Sequence, residues 1–357
     1  MRHRQMGRVG VINPDGHAIG VDIGATAVRA AVLAPGQVDG RPVVTIHGSG
    51  SVPLPRGAVV DGVVQDKAAV SNALKHLWRE SRLECRHVVL GVANPQILVR
   101  DMQMPNMTPE QRAKALPFRA REVVALPMDQ VLLDFAALGA PDPDTDIVRG
   151  LLVATPHQPV VAAVAAVEAA GLSVARVDLS SFGTLRSVAD ERLRVEAVID
   201  LGADLTTIVI HDHGVPKLVR SVAMGGRQLT ELLVDRLRYS VDDAESAKRS
   251  TGLAGEDVNV ARAVSDGVRP LITEIRSSIN YYSANDGTPI EQISLTGGGA
   301  ALRGLPGFLS AQLGIAVEVI DPMRRVRASS GKQRSSTAEV SVTPSAVAVG
   351  LAMGAAA

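Results

Sequence analysis

The chain has 357 residues, is 46% hydrophobic and balances 37 Lys plus Arg against 37 Asp plus Glu, which excludes a wholly disordered chain and any whole-fold attraction to nucleic acid or an anionic membrane. Its length suggests two domains or two subdivided lobes, and with one Trp, three Tyr and four Phe it has little material for stacking on bases or sugars. Cys85 is the single cysteine, so an internal disulfide and a multi-thiolate zinc cluster are excluded and a reducing cytoplasm is the natural compartment.

The basic start "MRHRQMGRVGVINPDG" lacks the apolar core of a signal peptide. "AIGVDIG" and "AVRAAVLA" read as two strands joined by a tight turn, with "VVTIHGSGSVPL" as a third. In "DKAAVSNALKHLWRES", Val70, Ala73, Leu74, Leu77 and Trp78 share one helical face. "HVVLGVA" returns to strand character. "MTPEQRAKALPFRAREVVAL" opens a helix with Thr108 as N-cap, Pro109 at the first position and Gln111 closing a capping box, and Pro117 is expected to kink or divide it. "QVLLDFAAL" and "DIVRGLLVAT" form a hairpin around the acidic loop "GAPDPDTD". An alanine-rich helix then runs to Gly171 as its C-cap. It carries Glu168 and is too short to span a bilayer. "LSVARVDL" follows as a strand.

The second half opens with "VEAVIDLGADLTTIVIHDHGVPKLVRSVAMGG", three strands of a meander with "HDHG" as a turn. "RQLTELLVDRLR", "SVDDAESAKRS" and the long "ARAVSDGVRPLITEIRSSINYYSAN" are helical. "EQISLTGGGAALRGLPGFLSAQLG" is a strand, a glycine turn and a helix. Arg324 to Glu339 is basic, Ser-rich and without hydrophobic period, which reads as a flexible loop. "PSAVAVGLAMGAAA" closes the chain as a small-residue helix. His211 and His213 in "HDHG" are open to a metal-binding or a hairpin-tip reading, the latter favoured because no third ligand is in view.

"IGVDIGATAVRAAVL" and "AVIDLGADLTTIVI" nearly repeat each other: an apolar run, Asp-x-Gly, small or hydroxylated residues, a second apolar run. Such a turn places a carboxylate at the mouth of a sheet beside bare backbone N–H groups that suit phosphate oxygens. Asp22 or Asp200 alone repels phosphate, so the arrangement requires a cation, and Mg²⁺ held by carboxylates, waters and phosphates is the usual one. Two facing turns clamp one polyphosphate. In "SLTGGGA", Gly297, Gly298 and Gly299 follow a strand and precede a helix, so bare backbone there can lie against a base or sugar.

This ordered set resembles the two phosphate loops and the adenosine loop of the actin-like ATPase superfamily. "AMGGRQLTELL", "AESAKR" and "FRAREVVALPMDQVLLDFAAL" are similar to segments of its FtsA/PilM branch, the last to PilM, and the likeness runs from about residue 17 to the end. The resemblance implies an α/β actin-like ATPase fold, two related lobes around a nucleotide cleft, with an FtsA/PilM-type small subdomain inserted in the first lobe. It divides the chain into a first lobe (17–85, 172–194 and 344–357), an inserted subdomain (86–171), a second lobe (195–225 and 265–323) with its own insertion (226–264), and a flexible basic loop (324–343).

Carried over by position, Asp22, Gly24, Ala25 and Thr26 form the first phosphate loop and Asp200, Gly202, Ala203 and Thr206 the second. Gly225 leads into the second insertion, Glu245 and Lys248 approach the ribose and base, and Gly297, Gly298 and Gly299 form the adenosine loop. The implied cofactors are ATP and Mg²⁺, the metal held by Asp22 and Asp200 through water or directly. For Glu245 and Lys248 an exposed i,i+3 ion pair is the competing reading.

Ala25 stands where relatives often have Ser or Thr, Arg29 where PilM proteins usually have Lys, and Ser180 near where relatives often place Glu or Gln to orient water. Losing such a group typically costs about 10²–10⁴ in rate, so firm ATP binding with slow or absent turnover is expected. The implied role is a cytoplasmic type IV pilus assembly protein at the inner face of the membrane. It would meet the membrane only indirectly, through the N-terminal cytoplasmic tail of a PilN-like bitopic membrane protein, alongside other pilus platform components and without nucleic acid. A division adaptor like FtsA is disfavoured by the uncharged end "VGLAMGAAA", and a small-molecule kinase by the lack of a segment gathering a catalytic Asp with hydrogen-bonding groups.

Overall fold

A computed structural model describes residues 16–38, 41–328 and 344–356. The basic N-terminus and most of the basic loop lie outside the described residues. The first lobe starts with β1 (Ala18–Ile23), β2 (Ala27–Val38) and β3 (Arg41–Pro53), an antiparallel meander. Strand alternation sends Ile19 and Val21 into one core and turns Gly20 and Asp22 to the opposite face. A two-residue hairpin, β4 (Val59–Val60) and β5 (Val63–Val64), turns at Asp61 and Gly62 and leads to α1 (Lys67–Glu80). Asp66 caps α1 by accepting from the Ala69 N–H at 2.9 Å, and the face from Val70 to Trp78 is buried as its spacing predicts.

β6 (His87–Val92) pairs parallel with β1, and β7 (Leu98–Pro105) leaves the lobe. α2 (Pro109–Ala120) carries the expected capping box, with Thr108 and Gln111 bonded reciprocally. Pro117 does not divide it: the helix runs through Pro117 and stops three residues later, so the missing N–H leaves one intrahelical bond unmade close to the helix end. β8 (Val131–Ala137) and β9 (Ile147–Pro156) complete a small sheet ordered β7-β9-β8, with its own core around Met104, Leu116 and Phe135.

α3 (His157–Ala169) ends in a Schellman motif. Gly171, at φ +81°, donates to the Glu168 carbonyl and Leu172 to that of Val167. β10 (Ser173–Leu179) and α4 (Ser180–Val188) follow. The boundary at 86–171 needs correction. β6 is held between β1 and β10 in the first-lobe sheet, and α3 buries Val160, Ala163 and Val167 in the core of α1. The protruding unit is therefore β7 to β9.

The second lobe repeats the plan. β11 (Val195–Leu201), β12 (Thr206–Asp212) and β13 (Val215–Val222) form the meander, followed by α5 (Gly226–Leu237), α6 (Val241–Thr251) and α7 (Val258–Asp286). α7 is one continuous helix, so a boundary between 264 and 265 cuts through it. β14 (Gln292–Thr296), α8 (Leu305–Leu313), β15 (Ala316–Val319), β16 (Arg327–Ala328) and α9 (Ala346–Ala356) complete the chain.

The sheets are ordered β10-β6-β1-β2-β3-β16 and β13-β12-β11-β14-β15. In each, one central strand (β1 or β11) has an antiparallel hairpin partner on one side and a parallel partner on the other. α4 packs on α9 and touches strands of both sheets. The start of the segment read as a flexible loop is tied down. Arg324 donates to the Val188 carbonyl and Asp190, Arg325 to Glu191, and β16 pairs with β3. These contacts bind the two chain crossings between the lobes to each other.

Candidate functional site

Asp22 and Asp200 end the two equivalent central strands. Their cross-strand partners are Arg29 and Thr207, so the four residues occupy matching places in the duplicated plan. Asp22 accepts from Ser345 Oγ at 2.7 Å, just ahead of α9, and lies 3.9 Å from Arg29 Nη1. Asp200 accepts from Thr184 Oγ1, on α4, at 3.3 Å. Both carboxylates line one cavity of about 1540 Å³ between the lobes. Burial, followed by the charge of Asp22, pushes the Asp200 carboxyl up to about 6. The two acids thus face a shared space in which a cation would relieve the repulsion of their like charges.

The predicted residues Gly24, Ala25, Thr26, Gly202, Ala203, Gly225, Glu245, Lys248, Gly297, Gly298 and Gly299 line the same cavity. Thr206 does not. It is fully buried and donates to the Met224 carbonyl at 2.8 Å, and its neighbour Thr207 lines the cleft instead. The reason is alternation: Asp200 and Thr207 lie on one sheet face, while Thr206 pairs with Leu201 on the face that packs against the lobe's own helices.

Glu245 and Lys248 are more than an exposed pair. Lys248 Nζ donates to Glu245 Oε2 (2.6 Å), Thr230 Oγ1 (2.9 Å) and the Gly226 carbonyl (3.0 Å), which uses all three of its protons. Burial raises the Glu245 pKa, but hydrogen bonds from Lys248, Thr230 and Arg249 outweigh it and hold the carboxyl at about 2. An ionised, oriented carboxylate at the wall is suited to accept from ribose hydroxyls.

The three glycines have distinct reasons. Gly297 has φ +83°, and a β-carbon there would lie 2.6 Å from the Leu201 carbonyl oxygen; one at Gly299 would lie 2.9 Å from Leu201 Cβ. Both pin the Gly297–Gly299 turn to the turn that follows Asp200. A β-carbon at Gly298 meets nothing within 4 Å, so only there does bareness serve the open cleft. Gly298→Val is expected to weaken nucleotide binding about tenfold or more with little change in melting temperature, since it adds bulk only toward the open cleft. Titration with a fluorescent nucleotide beside a thermal melt checks this, and a large fall in melting temperature would contradict it.

Oxygen donors of this kind suit Mg²⁺, which Asp22 and Asp200 would hold directly or through water, supplying charge neutralisation for a polyphosphate. Ser180 also lines the cavity, as do Arg29, Asp204, Arg227 and Ser345. Ser345 carried no sequence signal, because it meets the site from a distant segment, and Arg227 lies in the quoted "AMGGRQLTELL" with nothing local to single it out. His211 is no metal ligand. It is buried, its Nδ1 accepts from Gly214 N–H at 3.0 Å and its Nε2 donates to Glu196 at 2.8 Å, while His213 sits exposed at the hairpin tip. Among the described residues no group of three or more His, Cys, Asp or Glu is placed to hold a metal ion, and no helix is long and apolar enough to cross a membrane.

The family described as type IV pilus assembly protein PilM matches residues 20–356. The solved PilM-PilN type IV pilus biogenesis complex aligns with a TM-score of 0.81 and 27% identity over 95% of this chain and 98% of that one. The ethanolamine utilization protein EutJ of Carboxydothermus hydrogenoformans shares the fold, with a TM-score of 0.54 and 16% identity over 97% and 93%. Cell division protein FtsA of Bacillus subtilis is 24% identical over 238 residues, 60% of this chain and 54% of FtsA. FtsA of Staphylococcus epidermidis is 32% identical over 93 residues, 26% of this chain and 20% of that protein. The chain therefore spans about half, or less, of the length of these division proteins.

Proposed function

Since this chain belongs to the type IV pilus assembly protein PilM family, we propose that it is an ATP-binding assembly protein that recruits the cytoplasmic tail of a PilN-like membrane protein. The observation that carries the nucleotide part is the meeting of Asp22 and Asp200, from equivalent strands of two lobes, at one interlobe cavity. Mg²⁺ would sit between the carboxylates and the phosphates, with Gly298 beside the base and Glu245 beside the ribose. Ser180 offers only a hydroxyl to an attacking water, so turnover is slow. Through its partner's tail the protein sits at the inner face of the cytoplasmic membrane. The family match over nearly the whole chain outweighs the partial likeness to division proteins.

The tail has a candidate seat where the protruding unit meets the first lobe. Burial raises the Asp134 carboxyl on β8, and Arg112, Arg176 and Asp178 lie within its electrostatic reach. Arg176, on the edge strand β10, donates through Nη1 to the Gly354 carbonyl at 3.1 Å, but its Nε is buried with no hydrogen-bond partner among the described residues. A buried donor left unmade is costly, and a shift of the Arg176 side chain that brings this donor to a peptide carbonyl relieves that cost.

A labelled tail peptide titrated with and without Mg·ATP tests the proposal. Binding is expected, weakened about tenfold by Arg176→Met through loss of one charged hydrogen bond. Absence of binding in both conditions overturns the recruitment reading, and brisk single-turnover hydrolysis overturns slow turnover.

A further inference from the structure

We propose that Arg227 contacts the terminal phosphate of a bound nucleoside triphosphate and couples it to the separation of the lobes. The inference rests on the nucleotide reading above and deepens it. Arg227 stands in the first turn of α5, directly after Gly225 and Gly226. Its Nε donates to Asp204 Oδ1, on the second-lobe turn, at 2.5 Å, and its Nη2 reaches the Ala25 carbonyl, on the first-lobe turn, at 3.5 Å. One guanidinium thus ties together the two turns expected to clamp the phosphates. The two bonds are unequal: the first is short and charge-assisted, the second at the limit of hydrogen bonding.

Among the described residues the remaining N–H groups of the fork have no partner and are left for a ligand, and the side chain, 21% exposed, lines the cavity beside Gly24, Ala25 and Gly202. Charge narrows the choice of ligand. The cavity holds Asp22, Asp200 and Asp204, and three of its cations are engaged elsewhere: Lys248 on Gly226, Thr230 and Glu245, Arg249 on Glu245, and Arg56 on Glu231. Arg29 belongs to the first lobe and lies against Asp22. Of the four guanidiniums among the described residues that line the cavity, Arg29 of the first lobe and Arg227 of the second are the ones bonded at the acidic turns, where a polyphosphate meets both. With the ribose at Glu245, the terminal phosphate lies farthest along, toward Gly24 to Thr26. There it replaces the long bond to Ala25 with a charge-assisted one that draws the second-lobe turn inward. A diphosphate has no group to do this.

The test compares binding of a non-hydrolysable ATP analogue and of ADP, both with Mg²⁺, to the full chain. Three forms are measured: wild type, Arg227→Lys, and a double variant carrying Arg227→Gln with Asp204→Asn. The double variant avoids stranding the buried Asp204 carboxylate, and a thermal melt verifies its fold. Small-angle scattering follows lobe closure. Wild type is expected to prefer the analogue by about tenfold or more and to contract with it. The lysine variant, which keeps charge but loses the fork, is expected to retain part of that preference. The double variant is expected to bind both nucleotides alike and to stay open. A preference that survives in the double variant, or equal loss of both nucleotides, overturns the role of Arg227. Wild type that binds neither nucleotide overturns the nucleotide reading itself.

Discussion

Replacing Asp200 by asparagine is expected to lower Mg²⁺-dependent nucleotide affinity by about 100-fold or more, near 2.7 kcal/mol, while making the ligand-free protein more stable at neutral pH. Both effects have one origin. Asp200 ends β11 at the floor of the cleft, where burial and the nearby Asp22 raise its carboxyl to about 6 and Thr184 is its hydrogen-bond donor. The folded protein binds this proton more readily than the unfolded chain, whose Asp titrates near 4. Folding stability therefore falls as pH rises from about 4 to about 6, and the deficit, up to about 3 kcal/mol, persists above that. Asparagine removes the deficit together with the proposed metal ligand.

The same titration gives a pH dependence with a definite sign. Mg²⁺ binding needs the carboxylate, so wild-type affinity for Mg·nucleotide should strengthen as pH rises through about 6. The melting-temperature gain of Asp200→Asn should be larger at pH 7.5 than at pH 4.5. Calorimetric titration across this range, with melts of both proteins, checks both statements. An asparagine variant binding Mg·nucleotide within about threefold of wild type, less than 1 kcal/mol, would remove Asp200 from the metal site.

Gly350→Val is expected to collapse the first lobe. Gly350 lies inside α9, where glycine costs about 1 kcal/mol relative to alanine, so its presence needs a reason. A β-carbon there overlaps the Gly183 carbonyl of α4, and one at Gly183 would come 3.0 Å from the Val347 carbonyl oxygen. The two helices meet through bare backbone at this crossing. That closeness lets α9 lie on β1, where a β-carbon at Gly20 would overlap the Ala348 carbonyl. Ser345, at the start of the same helix, reaches Asp22. Valine forces backbone against backbone, with a loss expected above about 4 kcal/mol and much of the protein insoluble. Gly307→Ala is the control: nothing lies within 4 Å of that β-carbon in α8, and a stabilisation of a few tenths to about 1 kcal/mol is expected. Chemical denaturation of both variants decides the matter, and a Gly350→Val protein that unfolds like wild type would contradict the packing argument.

Much of the architecture was legible because it is local. The capping box at Thr108, the Gly171 helix stop, the buried face of α1 and the "HDHG" hairpin each follow from turn chemistry or from the period of a few consecutive residues. The near-repeat of "VDIGAT" and "IDLGAD" marked duplicated turns on the same ground. The choice between Thr206 and Thr207 was not legible, since it depends on which face of β12 meets which partner, and that is set by its register with β11. The true extent of the protruding unit needed the pairing of β6 between β1 and β10. The commitment of all three Lys248 protons within the cavity wall is equally out of reach of a local pattern, since it joins α6 to the start of α5. Ser345, Thr184 and Arg227 reach Asp22, Asp200 and Ala25 from segments remote in the chain. Periodicity and turn residues report torsions and faces, which short segments specify. Register, lobe boundaries and contacts across the cleft are set by packing between distant segments, which no local pattern encodes.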